Sequence, residues 1–92
     1  MRESKIKSDC KKLLEKKGYH VVHLITTNKP GIPDTMVLKN GKVFFIEFKQ
    51  PGKKMRALQE YQYLLLVKHG FTVLIISNKD DLCNYLQQQN IT

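Results

Sequence analysis

The stretch TMVLKNGKVFFIEFK, residues 35–49, decides the fold. Two apolar runs, residues 35–38 and 42–49, flank Asn40-Gly41. Both turn residues tolerate positive φ, and Asn-Gly between apolar runs is the sequence mark of a two-residue β-hairpin. Side chains on a strand alternate with period two, so Glu47 and Lys49, near the end of the second run, point to the same side.

Upstream of the hairpin, residues 26–33 carry Asn, Lys, two Pro and one Gly and read as a loop. Residues 19–25 are rich in Val, His, Leu and Ile and read as a strand. Residues 3–17 place Ile6, Cys10, Leu13 and Leu14 at helical spacing, with Gly18 set to end the helix. Downstream, Gln50-Pro51-Gly52 breaks the strand. Residues 55–69 form a second helix stopped by Gly70. Residues 71–77 are a continuous apolar run, which predicts a strand buried on both faces. Residues 80–88 form a closing helix with Leu82, Cys83 and Leu86 on its inner side, and Gln87-Gln88-Gln89-Asn90 is expected to fray. The predicted order is αβββαβα: one α/β domain over residues 1–92, with a mixed sheet flanked by helices.

The chain's size fits one small domain with a limited core, which makes oligomerisation a natural support. The formal charge is +8, with 16 basic against 8 acidic residues, and points to a polyanionic partner, nucleic acid before anionic membrane. Cys10 and Cys83 fit no metal-finger spacing and read as buried thiols of a reducing compartment. No run is long enough to span a bilayer, and the N-terminal stretch reads as a polar helix rather than a signal peptide. The expectation is a soluble, cytoplasmic protein without a small-molecule cofactor.

Four segments share the acid-x-Lys form: Glu3-Ser4-Lys5, Asp9-Cys10-Lys11, Glu15-Lys16-Lys17 and Glu47-Phe48-Lys49. The first three lie in the helical stretch, where residues i and i+2 do not face each other. Only the strand copy can build a site. Glu47 and Asp34 are two carboxylates able to hold Mg²⁺ against a phosphodiester, and Lys49 can stabilise the charge that builds as the bond breaks. Asp34 also fits an ordinary turn, Gly31-Ile32-Pro33-Asp34, in which Pro33 restricts the backbone. Glu3 lies on the helix line of Ile6, Cys10 and Leu14. It is either a third carboxylate aimed inward or a favourable charge at the helix N-terminus.

The spacing Gly-x-Pro-Asp, twelve residues, Glu-x-Lys, nine residues, Gln59 resembles the virus-type replication-repair nuclease domain of the PD-(D/E)xK superfamily. The resemblance runs from Glu3 to the last strand. It takes in the αβββαβα order and Gly31, Pro33, Asp34, Glu47, Lys49 and Gln59. It implies catalytic roles for Asp34, Glu47, Lys49, Gln59 and Glu3. It further implies Mg²⁺ or Mn²⁺ held by Asp34, Glu47 and the backbone carbonyl of Phe48, with Glu3 reaching the ion directly or through a water. Phe48 stands where the family often has a small aliphatic residue, which is tolerable if its side chain faces the core. Gln59 is expected to hydrogen-bond within the site, to Lys49 or a water.

Lys53, Lys54 and Arg56 precede the second helix, where cationic side chains and free N–H groups suit a phosphate backbone, and Lys29 lies in the loop before Asp34. These four are the candidate DNA contacts. Lys5, Lys11, Lys12, Lys16 and Lys17 fit a solvated helix face equally well. Tyr61, Tyr63, Leu64, Leu65, Leu66 and Val67 make the second helix apolar over more than one face, more than a core needs, which predicts a dimer surface. The reading is therefore a metal-dependent endodeoxyribonuclease of a bacterial or phage-infected cell. It is expected to be a homodimer that resolves branched, four-way (Holliday) junctions and leaves 5′-phosphate and 3′-hydroxyl ends. Its rivals are a basic module that grips nucleic acid without cutting it, and a flap or nicking nuclease.

Overall fold

A computed structural model describes residues 2–89. The order is α1 (Glu3–Lys16), β1 (His20–His23), β2 (Thr35–Lys39), β3 (Lys42–Phe48), α2 (Ala57–Lys68), β4 (Thr72–Ile76) and α3 (Lys79–Gln89). This is the αβββαβα order expected from the sequence. The hairpin turn holds Asn40 at φ 51° and Gly41 at φ 79°, the left-handed pair that a right-twisted hairpin requires.

The four strands form one mixed sheet in the order β1-β2-β3-β4. β1–β2 and β2–β3 are antiparallel, and β3–β4 is parallel. A parallel neighbour needs a crossover, and α2 supplies it. Thr35 and Val37 are buried, as are Phe44, Ile46 and Phe48, so alternate residues of β2 and β3 share one face. Against that face pack Ile6, Cys10 and Leu14 of α1, together with Leu82 and Leu86 of α3. Burying side chains of this size stabilises by roughly 1.5–3 kcal/mol each. Phe48 is deep in this core, which explains why a large residue is accommodated between Glu47 and Lys49.

Several sequence expectations change. The apolar run 71–77 is not a strand buried on both faces. β4 is an edge strand of the sheet: Ile76 is buried, while Thr72 and Ile75 are exposed. The first strand stops at His23, and Ile25 is 91% exposed rather than part of it. Cys10 is buried, whereas Cys83 is only half-buried, because α3 turns Leu82 and Leu86 inward. Gln87, Gln88 and Gln89 continue α3 instead of fraying; Asn90 lies outside the described residues.

Candidate active site

β2 begins at Thr35 and β3 ends at Phe48, and Thr35 pairs with Ile46. One rung further along the ladder, Asp34 lies opposite Glu47, and residues directly opposite share a face. The helix N-termini close this end of the sheet. α1 brings Glu3 in its first turn, and α2 brings Gln59 in its first turn. Carboxylate oxygens of Glu3, Asp34 and Glu47 all lie within 4.8 Å of one another.

Glu47, Lys49, Gln59 and the Asp34 backbone are each held by a definite partner. Lys49 Nζ donates to Gln59 Oε1 at 2.8 Å and lies 3.9 Å from Glu47 Oε2. Gln59 Oε1 also accepts from the Arg56 backbone N–H at 2.8 Å, which caps the start of α2. With its oxygen engaged twice, the Gln59 amide turns its Nε2 toward Glu47 Oε2, 3.4 Å away. The Asp34 backbone carbonyl accepts from Leu24 N–H at 2.8 Å, which fixes the chain as it enters β2.

The electrostatics follow from this crowding. Glu47 is 5% exposed, and its carboxyl is pushed up to about 7. Burial is the largest cause; the Asp34 and Glu3 carboxylates add to it, and Lys49 and Lys7 oppose it.

Two contributors, Lys7 and Thr35, escaped the sequence reading, and His23 joins them. Lys7 Nζ lies 3.4 Å from Asp34 Oδ2. The buried Thr35 hydroxyl donates to Asp34 Oδ1 at 3.0 Å. Because that hydroxyl has a single hydrogen, His23 Nδ1, 3.2 Å from Thr35 Oγ1, must itself donate. A directional chain, His23 to Thr35 to Asp34, thus fixes one carboxylate oxygen. His23 is lowered below its usual value, by burial first and then by Lys7 and Lys11, with Asp34 opposing. The signal for Lys7 was its place four residues after Glu3, on the same helix line. The signal for Thr35 was a hydroxyl two residues before the core residue Val37 on an alternating strand.

Gly31 joins the loop to the site. It has φ 86°, and a Cβ there would collide with the backbone carbonyl of Leu58 and lie 2.8 Å from Gln59 N. The loop carrying Asp34 is therefore seated directly on the helical turn carrying Gln59. Gly31→Ala is expected to cost on the order of 3 kcal/mol, combining left-handed strain with an overpacked contact against backbone. Gly52→Ala is the control: its φ is 83° but nothing lies within 4 Å of the added carbon. Thermal unfolding should show Gly31→Ala far more destabilised than Gly52→Ala; equal losses would exclude the close approach as the cause.

Lys29, Lys53, Lys54 and Arg56 are exposed. They are not drawn into the carboxylate cluster; only the Arg56 backbone touches it, through Gln59. A surface cleft lies at the opposite end of the sheet, beside Tyr19, Lys39, Phe44 and Tyr85, and contains none of the clustered carboxylates.

An antiparallel hairpin with a parallel fourth strand, carrying Asp, Glu-x-Lys and a helix-borne Gln at one end, is the architecture of the PD-(D/E)xK nucleases. No family model matches the chain. A protein named "Putative nuclease p44", from Acyrthosiphon pisum secondary endosymbiont phage 1, is 30% identical over 81 residues, covering 87% of each chain. A solved structure described as a VRR_NUC domain has a TM-score of 0.84 at 23% identity, covering 92% of this chain and 94% of its own. The chain belongs to the virus-type replication-repair nuclease family.

The donor set fits a hard divalent cation. All three clustered groups offer carboxylate oxygen, with no thiol or imidazole among them. Oxygens around Mg²⁺, bonded at 2.0–2.1 Å, lie within about 4.2 Å of one another. The observed spread requires only a small closure, or one carboxylate reaching through a water.

Proposed function

We propose that the protein is a divalent-metal-dependent endodeoxyribonuclease that acts as a homodimer on four-way DNA junctions in a bacterial or phage-infected cell. The observation that carries the nuclease reading is the convergence of Glu3, Asp34 and Glu47 beside Lys49 at one end of the sheet. Asp34, Glu47 and the Phe48 backbone carbonyl would hold Mg²⁺ or Mn²⁺, with Glu3 completing the set directly or through a water. When bound, the cation polarises the phosphoryl oxygen and favours ionisation of a bound water.

The chain's own residues do the rest. Lys49 presents a cation to the charge that develops on the phosphorus oxygens, and its bond to Gln59 keeps the ammonium from collapsing onto Glu47. The His23–Thr35 chain holds the Asp34 carboxylate in one orientation. Lys29 in the loop before Asp34, and Lys53, Lys54 and Arg56 ahead of α2, are exposed and suit phosphates on either side of the scissile bond. Water attack at phosphorus with departure of the 3′ oxygen, which takes up a proton, leaves 5′-phosphate and 3′-hydroxyl ends.

The homodimer rests on α2. None of its residues is buried, and Leu58, Tyr61, Leu64 and Val67 form an exposed apolar stripe along it. Phe71 and Ile75, beyond the helix, are exposed as well. A two-fold pairing through this surface would cover both the stripe and the open edge region of β4, and would set two identical sites about an axis. A four-way junction offers two strands of like geometry to such a pair.

The test is a panel of labelled linear, flap, splayed and four-way DNAs with Mg²⁺ or Mn²⁺, run beside light scattering. The expected result is twice the 10.7 kDa chain mass and paired symmetric nicks in the four-way substrate. A monomer that cuts flaps but leaves junctions whole overturns the junction assignment alone. Tight binding with no cutting of any substrate returns the protein to a nucleic-acid-binding module.

A further inference from the structure

The two lysines at the cluster are held differently. Lys49 comes from the strand layer and is anchored by Gln59 at 2.8 Å. Lys7 comes from the helix layer, one turn after Glu3, and its ammonium meets Asp34 Oδ2 at 3.4 Å. Among the described residues no hydrogen bond to another group restrains it. The pair is partly buried, with the two side chains 31% and 27% exposed. Three carboxylates pressed together without a cation repel one another, and Lys7 is the unanchored positive charge that offsets this.

We propose that Lys7 is the resident counter-ion of the carboxylate cluster, exchanged for the divalent cation when the site loads. This rests on the reading of Asp34 as a metal ligand. A divalent ion bound to Asp34 would meet the Lys7 ammonium as a like charge at short range. The side chain must swing away on its flexible stem, and its lost attraction to Asp34 is subtracted from the affinity of the ion. Lys7 is thus a positioning residue with an unusual sign: it orders the empty site and opposes its filling. A purely structural lysine would do the reverse, since losing it would let Asp34 drift and weaken metal binding.

The experiment is a Mn²⁺ titration of the protein without DNA, following free Mn²⁺ by electron paramagnetic resonance, for the wild type, Lys7→Met and Lys7→Arg. Lys7→Met is expected to bind Mn²⁺ about fivefold more tightly at low salt, the scale of a partly exposed ion pair. Lys7→Arg keeps the charge and should match the wild type. The gap between wild type and Lys7→Met should narrow as salt rises, because added ions screen the repulsion. Mn²⁺ uptake that Lys7→Met leaves unchanged or weakens overturns the counter-ion role alone. No uptake by the wild type overturns the metal reading, and this inference with it. Circular dichroism of each variant shows whether the domain is folded.

Discussion

Asp34→Asn, Glu47→Gln and Lys49→Ala are each expected to slow DNA cutting by about two to three orders of magnitude, the usual loss when one group stabilising a transition state is removed. They should separate on metal binding. Asp34 and Glu47 lie in the carboxylate cluster, so their amide variants lose Mn²⁺ affinity along with activity. Lys49 is joined to the cluster only through Glu47 and Gln59, so Lys49→Ala should bind Mn²⁺ nearly normally and still fail to cut. Single-turnover cleavage paired with Mn²⁺ titration reads both quantities. If all three variants cut at the wild-type rate, the site has been misplaced. If Lys49→Ala loses Mn²⁺ as completely as Asp34→Asn, then Lys49 builds the cluster rather than acting on the phosphate.

The second large effect is on stability, and it runs opposite to activity. In the metal-free protein, burial and the neighbouring carboxylates push Glu47 up to about 7 from an ordinary 4.5. Below pH 4.5 the group is neutral in folded and unfolded chains alike, and no stability is lost. Between 4.5 and 7 the unfolded chain releases a proton that the folded chain keeps, so stability falls as pH rises. Above 7 the loss levels off at about 3 kcal/mol, on the scale of 1.36 kcal/mol per pKa unit. Glu47→Gln stays neutral at every pH and retains an acceptor beside Lys49 and the Gln59 amide. With chelator present, it should unfold on the order of 10 °C above the wild type at pH 8, and close to it at pH 4.5. Parallel melting profiles for the two proteins across this range would show that burial does not raise the Glu47 carboxyl.

The most legible part of the fold was the hairpin, because Asn40-Gly41 specifies a turn chemistry that little else satisfies. Helix ends were legible for the same reason: Gly18 and Gly70 both take positive φ just past their helices. The apolar run at β4 was misleading because hydrophobicity reports a need for cover and not its source. Phe71 and Ile75 have the composition of a doubly covered strand, yet within the single chain they lie exposed at the sheet edge. The same ambiguity holds for α2, whose apolar residues were read as more than a core needs and are not buried in the single chain.

At the site, strand parity singled out Glu47 and Lys49; Asp34 also fitted an ordinary turn, and Gln59 came from the family resemblance. Lys7 and Thr35 could not be ranked. Lys7 is one of many lysines on α1, and only the packing angle of that helix brings this one to Asp34. Thr35 resembles any strand threonine until the rung it occupies is known.

The start of α1 has a consequence for the carboxylate it carries. Arg2 occupies the N-cap without a side-chain hydrogen bond to the first turn, and Glu3 is the first helical residue. A helix end lacking such a cap unwinds readily, since its leading N–H groups lose little by turning to water. Glu3 is therefore the one acidic group whose reach depends on local winding, while Asp34 and Glu47 are fixed by the sheet. Anything that clasps the Glu3 carboxylate must also wind the first turn. Occupancy of the cluster and order at the amino end of the chain become two sides of a single equilibrium, visible in the hydrogen-exchange protection of that turn.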